Sequence, residues 1–217
     1  MIKGVAFDMD GLMFDTERLA VKAWRFAGAQ MGYRVPEELV LKTLGLNAEN
    51  SRQIFTQHFG SDFDFNSARN MRVDYVTDYI RKNGMPLKTG LMELLLYLKA
   101  NHYRYTVATS TDRERTAYYF EKAGISGFFD EIVCGDMIVR GKPEPDIYLK
   151  AGSIMGLNPD ECIALEDSPS GILSAFRAGM KPVMIPDLIE PDKETDKMLY
   201  AKLPSLLHVI VLLGQQS

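Results

Sequence analysis

The stretch VAFDMDG at residues 5–11 constrains the fold more than any other segment, because a buried apolar run leads straight into two carboxylates and a glycine. Asp8 and Asp10 stand two residues apart, and such a pair is an electrostatic liability unless a cation lies beside it. We therefore expect a strand that ends at Asp8 and delivers both carboxylates to a crevice. Gly11 frees the backbone to turn sharply there and to expose N–H groups.

Further apolar runs are bounded by polar or turn residues in the same way, which predicts strands buried on both faces of a parallel sheet. With the first run, at residues 2–8, they are residues 103–110, 131–136, 161–167 and 181–187. Helical patterns alternate with the later runs, at residues 91–100, 113–124, 145–156 and 170–179. This alternation predicts an α/β fold with a doubly wound, Rossmann-like parallel sheet.

The connection between the first two predicted strands is unusually long. Residues 9–102 intervene, and about 70 of them precede the return to the core, whereas a crossover needs only about a dozen. The patterns in this segment are helical throughout, and Trp24 and Ala27 share one helix face. We therefore predict an α-helical cap at residues 17–83, inserted into a core made of residues 1–16 and 84–217.

Polar residues end the predicted core strands, and ligands of open α/β sheets bind at the carboxyl ends of the strands. The residues expected to gather in one crevice are Asp8, Asp10, Thr109, Ser110, Asp136, Glu166 and Asp167. Two like charges 4 Å apart repel by about 4 kcal/mol at an effective dielectric near 20, so the carboxylates need a cation. Oxygen ligands without a nearby His or Cys favour Mg²⁺, which also bridges to phosphate oxygens.

The residue types in this crevice suit phosphoryl transfer. Asp8 is the expected nucleophile, forming an aspartyl-phosphate, and Asp10 is the expected general acid and base. Lys142, in GKPEPD, would add positive charge if its loop reaches the crevice. Thr109 and Ser110 can bind the transferring phosphoryl group, and the amides at Gly11 can face it.

Four segments, FDMDGLMFDTE, VATST, GKPEPDIY and ALEDSPSGILSAFRAGM, resemble the four motifs of the haloacid dehalogenase-like superfamily. The match is to its phosphatase and phosphomutase branch, with a helical cap after the first strand, and it spans nearly the whole chain. The resemblance implies Asp8 as nucleophile, Asp10 as acid/base, Thr109 as the phosphate-binding hydroxyl with Ser110 beside it, and Lys142 as the charge-stabilising lysine.

The resemblance also implies a Mg²⁺ site. The ion would be held by the Asp8 side chain, the Asp10 backbone carbonyl and Asp167. Glu166 would be either a further ligand or a residue that contacts the ligands. The second acid of DMD argues against the dehalogenases themselves, which lack an acid/base at that position.

Two branches remain open, a phosphatase of sugar phosphates or nucleotides and a β-phosphoglucomutase-like mutase. Mutases use a cap-helix His and a cap Arg that holds the second phosphate of the substrate. Here Ala20 stands at the first position and Asn47 near the second, with Arg52 further along. These differences favour a phosphatase that acts on a small phosphate monoester, a sugar phosphate above all.

The cations of the cap are expected to be mostly solvated, with one or two in contact with substrate: Arg18, Lys22, Lys42, Arg52 and Arg72.

A phosphoacceptor switch such as a receiver domain is a further alternative, since it also combines an acceptor Asp with acids, a hydroxyl and a Lys. Receivers, however, run to only about 120 residues in a single domain, whereas this chain has 217 residues and a large insertion.

Composition excludes several other classes. The net charge of −4 argues against a nucleic-acid surface, which is usually strongly basic. We expect no signal peptide and no membrane segment, because no apolar stretch approaches the roughly 20 residues of a membrane span. Cys134 and Cys162 lie inside predicted strands and are expected as buried thiols. We expect a cytoplasmic enzyme for a small phosphorylated metabolite, acting as a monomer, with a dimer as the alternative.

Overall fold

A parallel β-sheet organises the computed structural model, which describes residues 1–215. Within these residues the strands are β1 (Gly4–Phe7), β2 (Arg104–Val107), β3 (Cys162–Glu166), β4 (Lys181–Met184) and β5 (Ala201–Lys202). Their order is β2-β1-β3-β4-β5, and every neighbouring pair is parallel. The register places Phe7 of β1 between Val107 and Leu165. The residues that follow β1, β2 and β3 therefore meet at one edge.

Helices cover both faces of the sheet, which confirms the doubly wound α/β class. They are α1 (Glu17–Gln30), α2 (Glu37–Leu41), α3 (Ala48–Phe59), α4 (Phe65–Asn83), α5 (Leu91–Ala100), α6 (Arg113–Ala123), α7 (Asp146–Met155), α8 (Pro169–Arg177), α9 (Lys193–Asp196) and α10 (Leu206–Gly214). Val5 and Phe7 share one hydrophobic cluster with buried residues of α5, α6 and α10. Ala6 shares another with α7 and α8, as expected for alternating side chains of a central strand.

None of the helices within residues 1–215 is long and apolar enough to cross a membrane.

The expected strand at residues 131–136 is wrong. Val133 makes a single bridge to Ala108, and the chain then turns into a short 3₁₀ helix, Gly135–Met137. The amide of Gly135 donates to the carbonyl of Thr111, beyond the end of β2, at 2.9 Å, and the segment does not continue as a strand. Cys134 is accordingly buried outside any strand, whereas Cys162 opens β3; both thiols are free.

Helices α1 to α4 occupy the segment predicted as the cap. They pack around their own aromatic cluster, in which Trp24 lies 4.4 Å from Phe55 and 5.5 Å from Phe65 between ring centroids. The two connections to the core pair with each other, since the amide of Asp15 donates to the carbonyl of Pro86 at 2.9 Å. The division into a core of residues 1–16 and 84–217 and a cap of residues 17–83 stays our proposal.

Candidate active site

The end of β1 places Asp8 in a buried, charged network. Its amide continues the strand by donating to the carbonyl of Leu165 at 2.9 Å. The Lys142 ammonium donates to Asp8 Oδ1 and, at 2.6 Å, to Glu166 Oε1. Lys142 and Glu166 are fully buried, and Asp8 is 4% exposed. The structure therefore brings the loop lysine to the carboxylates, as its motif predicts.

Glu166 is held on both carboxylate oxygens. Tyr148 of α7 donates its hydroxyl to Oε1 at 2.5 Å, and Ser168 donates to Oε2 at 3.2 Å. Ser168 also accepts from the Gly171 amide and so caps α8. A Cβ on Gly171 would collide with the Glu166 carboxylate. The tight packing fixes Glu166 as an anchor for Lys142.

The network carries more negative than positive charge. Burial raises the pKa of Asp8 to about 8 against the attraction of Lys142, and neighbouring Glu166 adds to the rise. Burial lowers the pKa of Lys142, but Asp8 and Glu166 raise it by more, so the net shift is upward. Burial, and then Glu17, raise the pKa of Asp167. One ammonium thus faces several buried carboxylates, which is stable only with protons or a further cation.

A divalent cation could be held by three carboxylates of this network, those of Asp8, Glu166 and Asp167. One carboxylate oxygen from each lies within 4.8 Å of the others, and all three side chains are buried. Asp167 Oδ1 is buried and has no hydrogen-bond partner among residues 1–215. An unpaired buried carboxylate oxygen is costly, and a hard cation such as Mg²⁺ would satisfy it.

Mg²⁺ should therefore raise the thermal unfolding midpoint. At a concentration 100 times its dissociation constant, a ligand of the native state adds about 2.7 kcal/mol. For a protein of this size that corresponds to roughly 5–10 °C. Asp167→Asn should remove most of the shift, while the exposed control Asp160→Asn should keep it. Equal shifts in both variants, measured by differential scanning calorimetry, would contradict this assignment.

Asp10 lies outside the lysine network. Its Oδ1 accepts from the Thr16 hydroxyl at 2.6 Å and its Oδ2 from the Thr111 hydroxyl at 2.8 Å. Thr16 precedes α1 and Thr111 follows β2, so contacts from both sides of the pocket fix the carboxylate. Asp10 is partly exposed and lines the pocket.

Of the predicted phosphate-binding residues, Thr109 and Ser110 line the same pocket, whereas Gly11 and Lys142 are not part of its lining. Gly11 has a φ of 84°, and a Cβ there would collide with Asp167, so the tight turn requires glycine. Thr109 is 1% exposed, and its hydroxyl oxygen accepts from the Thr111 amide at 3.1 Å. Ser110 also lines the pocket, but its hydroxyl donates to the carbonyl of Gly45 at 2.8 Å. The Ser110 side chain therefore contacts the cap segment.

The loop between α2 and α3 closes over this pocket. Besides the contact at Gly45, the Ser170 hydroxyl donates to the carbonyl of Leu44 at 3.3 Å. Asn50 donates from its side-chain amide to the carbonyl of Lys142 at 3.3 Å. The pocket has a volume of about 370 Å³, within the range of small-molecule sites.

Sequence reasoning missed several residues of the site. Tyr148 follows Ile147, which lies on the predicted buried face of α7. The helical spacing of Tyr148 from Ala151 and Met155 could have indicated that the Tyr148 side chain is buried too. Glu17 is buried beside the acids, and its pKa is raised by burial first and by Asp10 and Asp8 next. Nothing in its spacing distinguishes it from an ordinary acid in the first turn of a helix.

Comparisons with known proteins agree with this geometry. The profile of the family described as "Haloacid dehalogenase-like hydrolase" matches residues 5–185. The chain is 35% identical over 191 residues to the "Probable pseudouridine-5'-phosphatase" of Drosophila melanogaster, covering 83% of this chain and 80% of that protein. It is 26% identical over 182 residues to the "Phosphorylated carbohydrates phosphatase" of Thermotoga maritima, covering 84% of each. Among solved structures, CbbY from Rhodobacter sphaeroides in complex with phosphate matches with a TM-score of 0.82 at 25% identity, covering 96% of each chain.

Proposed function

Because this chain belongs to the haloacid dehalogenase-like hydrolase family, we propose that it hydrolyses a small phosphate monoester, of the sugar phosphate class, through an aspartyl-phosphate on Asp8. The observation that carries the proposal is the ion pair between buried Asp8 and Lys142, with Asp10 two residues away at the same pocket. The relatives named as a pseudouridine-5'-phosphatase and a phosphorylated carbohydrates phosphatase support a phosphorylated small molecule as substrate.

In the first step, a carboxylate oxygen of Asp8 forms a bond to phosphorus while the bond from phosphorus to the leaving oxygen breaks. Asp10 gives its proton to that leaving oxygen, which departs as a hydroxyl. In the second step, Asp10 takes a proton from a water molecule as the water oxygen bonds to phosphorus. The bond between phosphorus and Asp8 then breaks, releasing inorganic phosphate and restoring the carboxylate.

Other side chains hold this chemistry in place. Lys142 orients Asp8 and supplies positive charge beside the phosphoryl oxygens, and Glu166 fixes the ammonium from behind. Mg²⁺, held by Asp8, Asp167 and the Asp10 carbonyl, would neutralise negative charge on the nucleophile and the phosphoryl group when bound. The Thr109 hydroxyl and the turn at Gly11 would complete the phosphate pocket.

The lining of the pocket favours hydrolysis over a mutase reaction. Ala20 lines it at the position where the mutase branch of the resemblance places His, and Asn47 lines it near the position of the mutase Arg. Incubation with β-glucose 1-phosphate and a trace of the bisphosphate separates the two reactions. We expect free phosphate to form faster than glucose 6-phosphate, and the reverse order would favour the mutase.

Asp10→Asn should lower turnover of p-nitrophenyl phosphate by about a hundredfold or more, because it removes the group that moves the proton in both steps. Mg²⁺ binding should persist, since the resemblance assigns only the backbone carbonyl of Asp10 to the metal. Steady-state kinetics and a Mg²⁺ thermal shift on the same protein measure both. Unchanged turnover would remove Asp10 from its proposed role.

A further inference from the structure

Three arginines line the pocket away from the lysine network: Arg69 and Arg72 of α4, and Arg115 of α6. We call them the arginine cluster. Arg69 and Arg72 are three residues apart and therefore share one face of α4. Burial, and then the charges of Arg115 and Arg72, lower the pKa of Arg69, so Arg69 is repelled by both of the other arginines.

The cluster has little counter-charge of its own. Its ion pairs within the described chain go to Asp112, whose Oδ2 is 3.7 Å from Arg69 and 3.6 Å from Arg115. Asp112 is also committed to capping α6, since its Oδ1 accepts from the Arg115 amide at 2.9 Å. Among the described residues, the three arginines thus have one carboxylate between them as an ion-pair partner, in a protein whose net charge is −4.

Arg72 is the least compensated member. It forms no ion pair with any residue from 1 to 215, and its Nε is buried without a hydrogen-bond partner in that part of the chain. A buried N–H that donates to nothing costs free energy. Because the Arg72 side chain lines the pocket, a bound anion could satisfy it.

The buried phenol of Tyr119 relates the cluster to the reaction centre. Burial raises its pKa to about 12, Asp10 adds to the rise, and Arg72 and Arg115 oppose it. The phenol therefore lies within electrostatic reach of both the proposed acid/base and the cluster. Lys142, by contrast, is fully engaged with Asp8 and Glu166. The pocket thus has a region of excess negative charge at the nucleophile and one cationic region at the arginine cluster.

We propose that the arginine cluster binds a second anionic group of the substrate, a phosphate or a carboxylate, so that the preferred substrate is a sugar or sugar-acid phosphate charged at both ends. Guanidinium groups bind both anions through paired N–H donors. The cavity of about 370 Å³ accommodates a small molecule that reaches both regions. This inference rests on the proposed function for the phosphate that is removed. It uses other residues than the cap arginine of the mutases, near whose place Asn47 stands in this chain.

The test compares ligands that differ in the second anion. The pairs are fructose 1-phosphate with fructose 1,6-bisphosphate for a phosphate, and glucose 6-phosphate with 6-phosphogluconate for a carboxylate. Binding to the Asp8→Asn protein with Mg²⁺ is measured by isothermal titration calorimetry, with and without Arg72→Gln. We expect the doubly anionic ligand of at least one pair to lose affinity about tenfold or more in the arginine variant, and its partner less than about twofold.

Arg115→Gln, on a different helix, should reproduce the selective loss, which guards against a local disturbance of α4. The matched control is Arg81→Gln, an exposed α4 arginine paired with Asp78 at 2.9 Å, and it should change neither affinity. Equal losses for both members of each pair, or no loss in any pair, would overturn the inference. Because binding needs no turnover, this result stands apart from the proposed function, which fails if the wild-type protein releases no phosphate from any of the four ligands.

Discussion

Replacing Asp8 by Asn should abolish phosphate release, with a loss on the order of 10⁴-fold or more, the scale expected when a covalent nucleophile is removed. The amide keeps the shape of the side chain but lacks the negative oxygen that attacks phosphorus. Asp8 lies beside Lys142 and lines the pocket, so its carboxylate is the one placed to reach the phosphorus atom of a bound substrate. Release of inorganic phosphate from p-nitrophenyl phosphate measures the loss.

A covalent intermediate separates this role from a merely electrostatic one. Acid-quenched wild-type protein, mixed briefly with substrate, should gain the mass of one phosphoryl group on the peptide that contains Asp8, and the Asn variant should not. Asp130→Asn, an exposed carboxylate away from the pocket, serves as the matched control and should react normally. Full turnover by Asp8→Asn would rule out the aspartyl-phosphate route.

The central part of the fold could be predicted because its signals are local. The buried runs at β1, β3 and β4 alternate with amphipathic helices, and such periods are set by side-chain burial alone. The residues that follow β1 and β3 then had to meet, because parallel strands share their carboxyl ends. Lys142 could be placed beside Asp8 only through its motif, since 134 residues separate the two.

The remaining features depend on tertiary contacts that no local pattern records. Residues 131–136 have the composition of a strand, yet only Val133 reaches the edge of β2 before the chain turns away. The hydrogen bond from Tyr148 to Glu166 joins a helix to a strand end across the core. Arg69 and Arg115 converge only because the helical segment folds back over the sheet, so their shared pocket was invisible in the sequence.

Replacing Lys142 by Met should cost both activity and stability. Removal of one partner of a buried ion pair typically destabilises a protein by about 3–5 kcal/mol, because the other charges stay buried without compensation. Turnover should fall about 10³-fold, since the charge beside the phosphoryl group is lost. Urea unfolding in EDTA and steady-state kinetics measure the two effects. Lys150→Met, on α7 and outside the network, is the matched control.

The pH dependence of this destabilisation follows from the burial of Asp8. Lys142 is the group that lowers the pKa of Asp8, so its loss leaves burial unopposed and moves that pKa further above the unfolded value. A carboxyl whose folded pKa is raised stabilises the fold below its unfolded pKa of about 4, and this contribution disappears as the pH rises through the folded pKa. The variant should therefore be much closer to wild type at pH 5 than at pH 8.

A double variant separates the structural part of this effect from the catalytic part. Lys142→Met with Glu166→Gln removes one of the carboxylates that the lysine compensates, so it should be more stable than Lys142→Met alone at pH 8. Activity should remain as low as in the single variant, because the missing charge acts on the phosphoryl group rather than on the fold. Recovery of turnover together with stability would show that Lys142 contributes only by holding the core together.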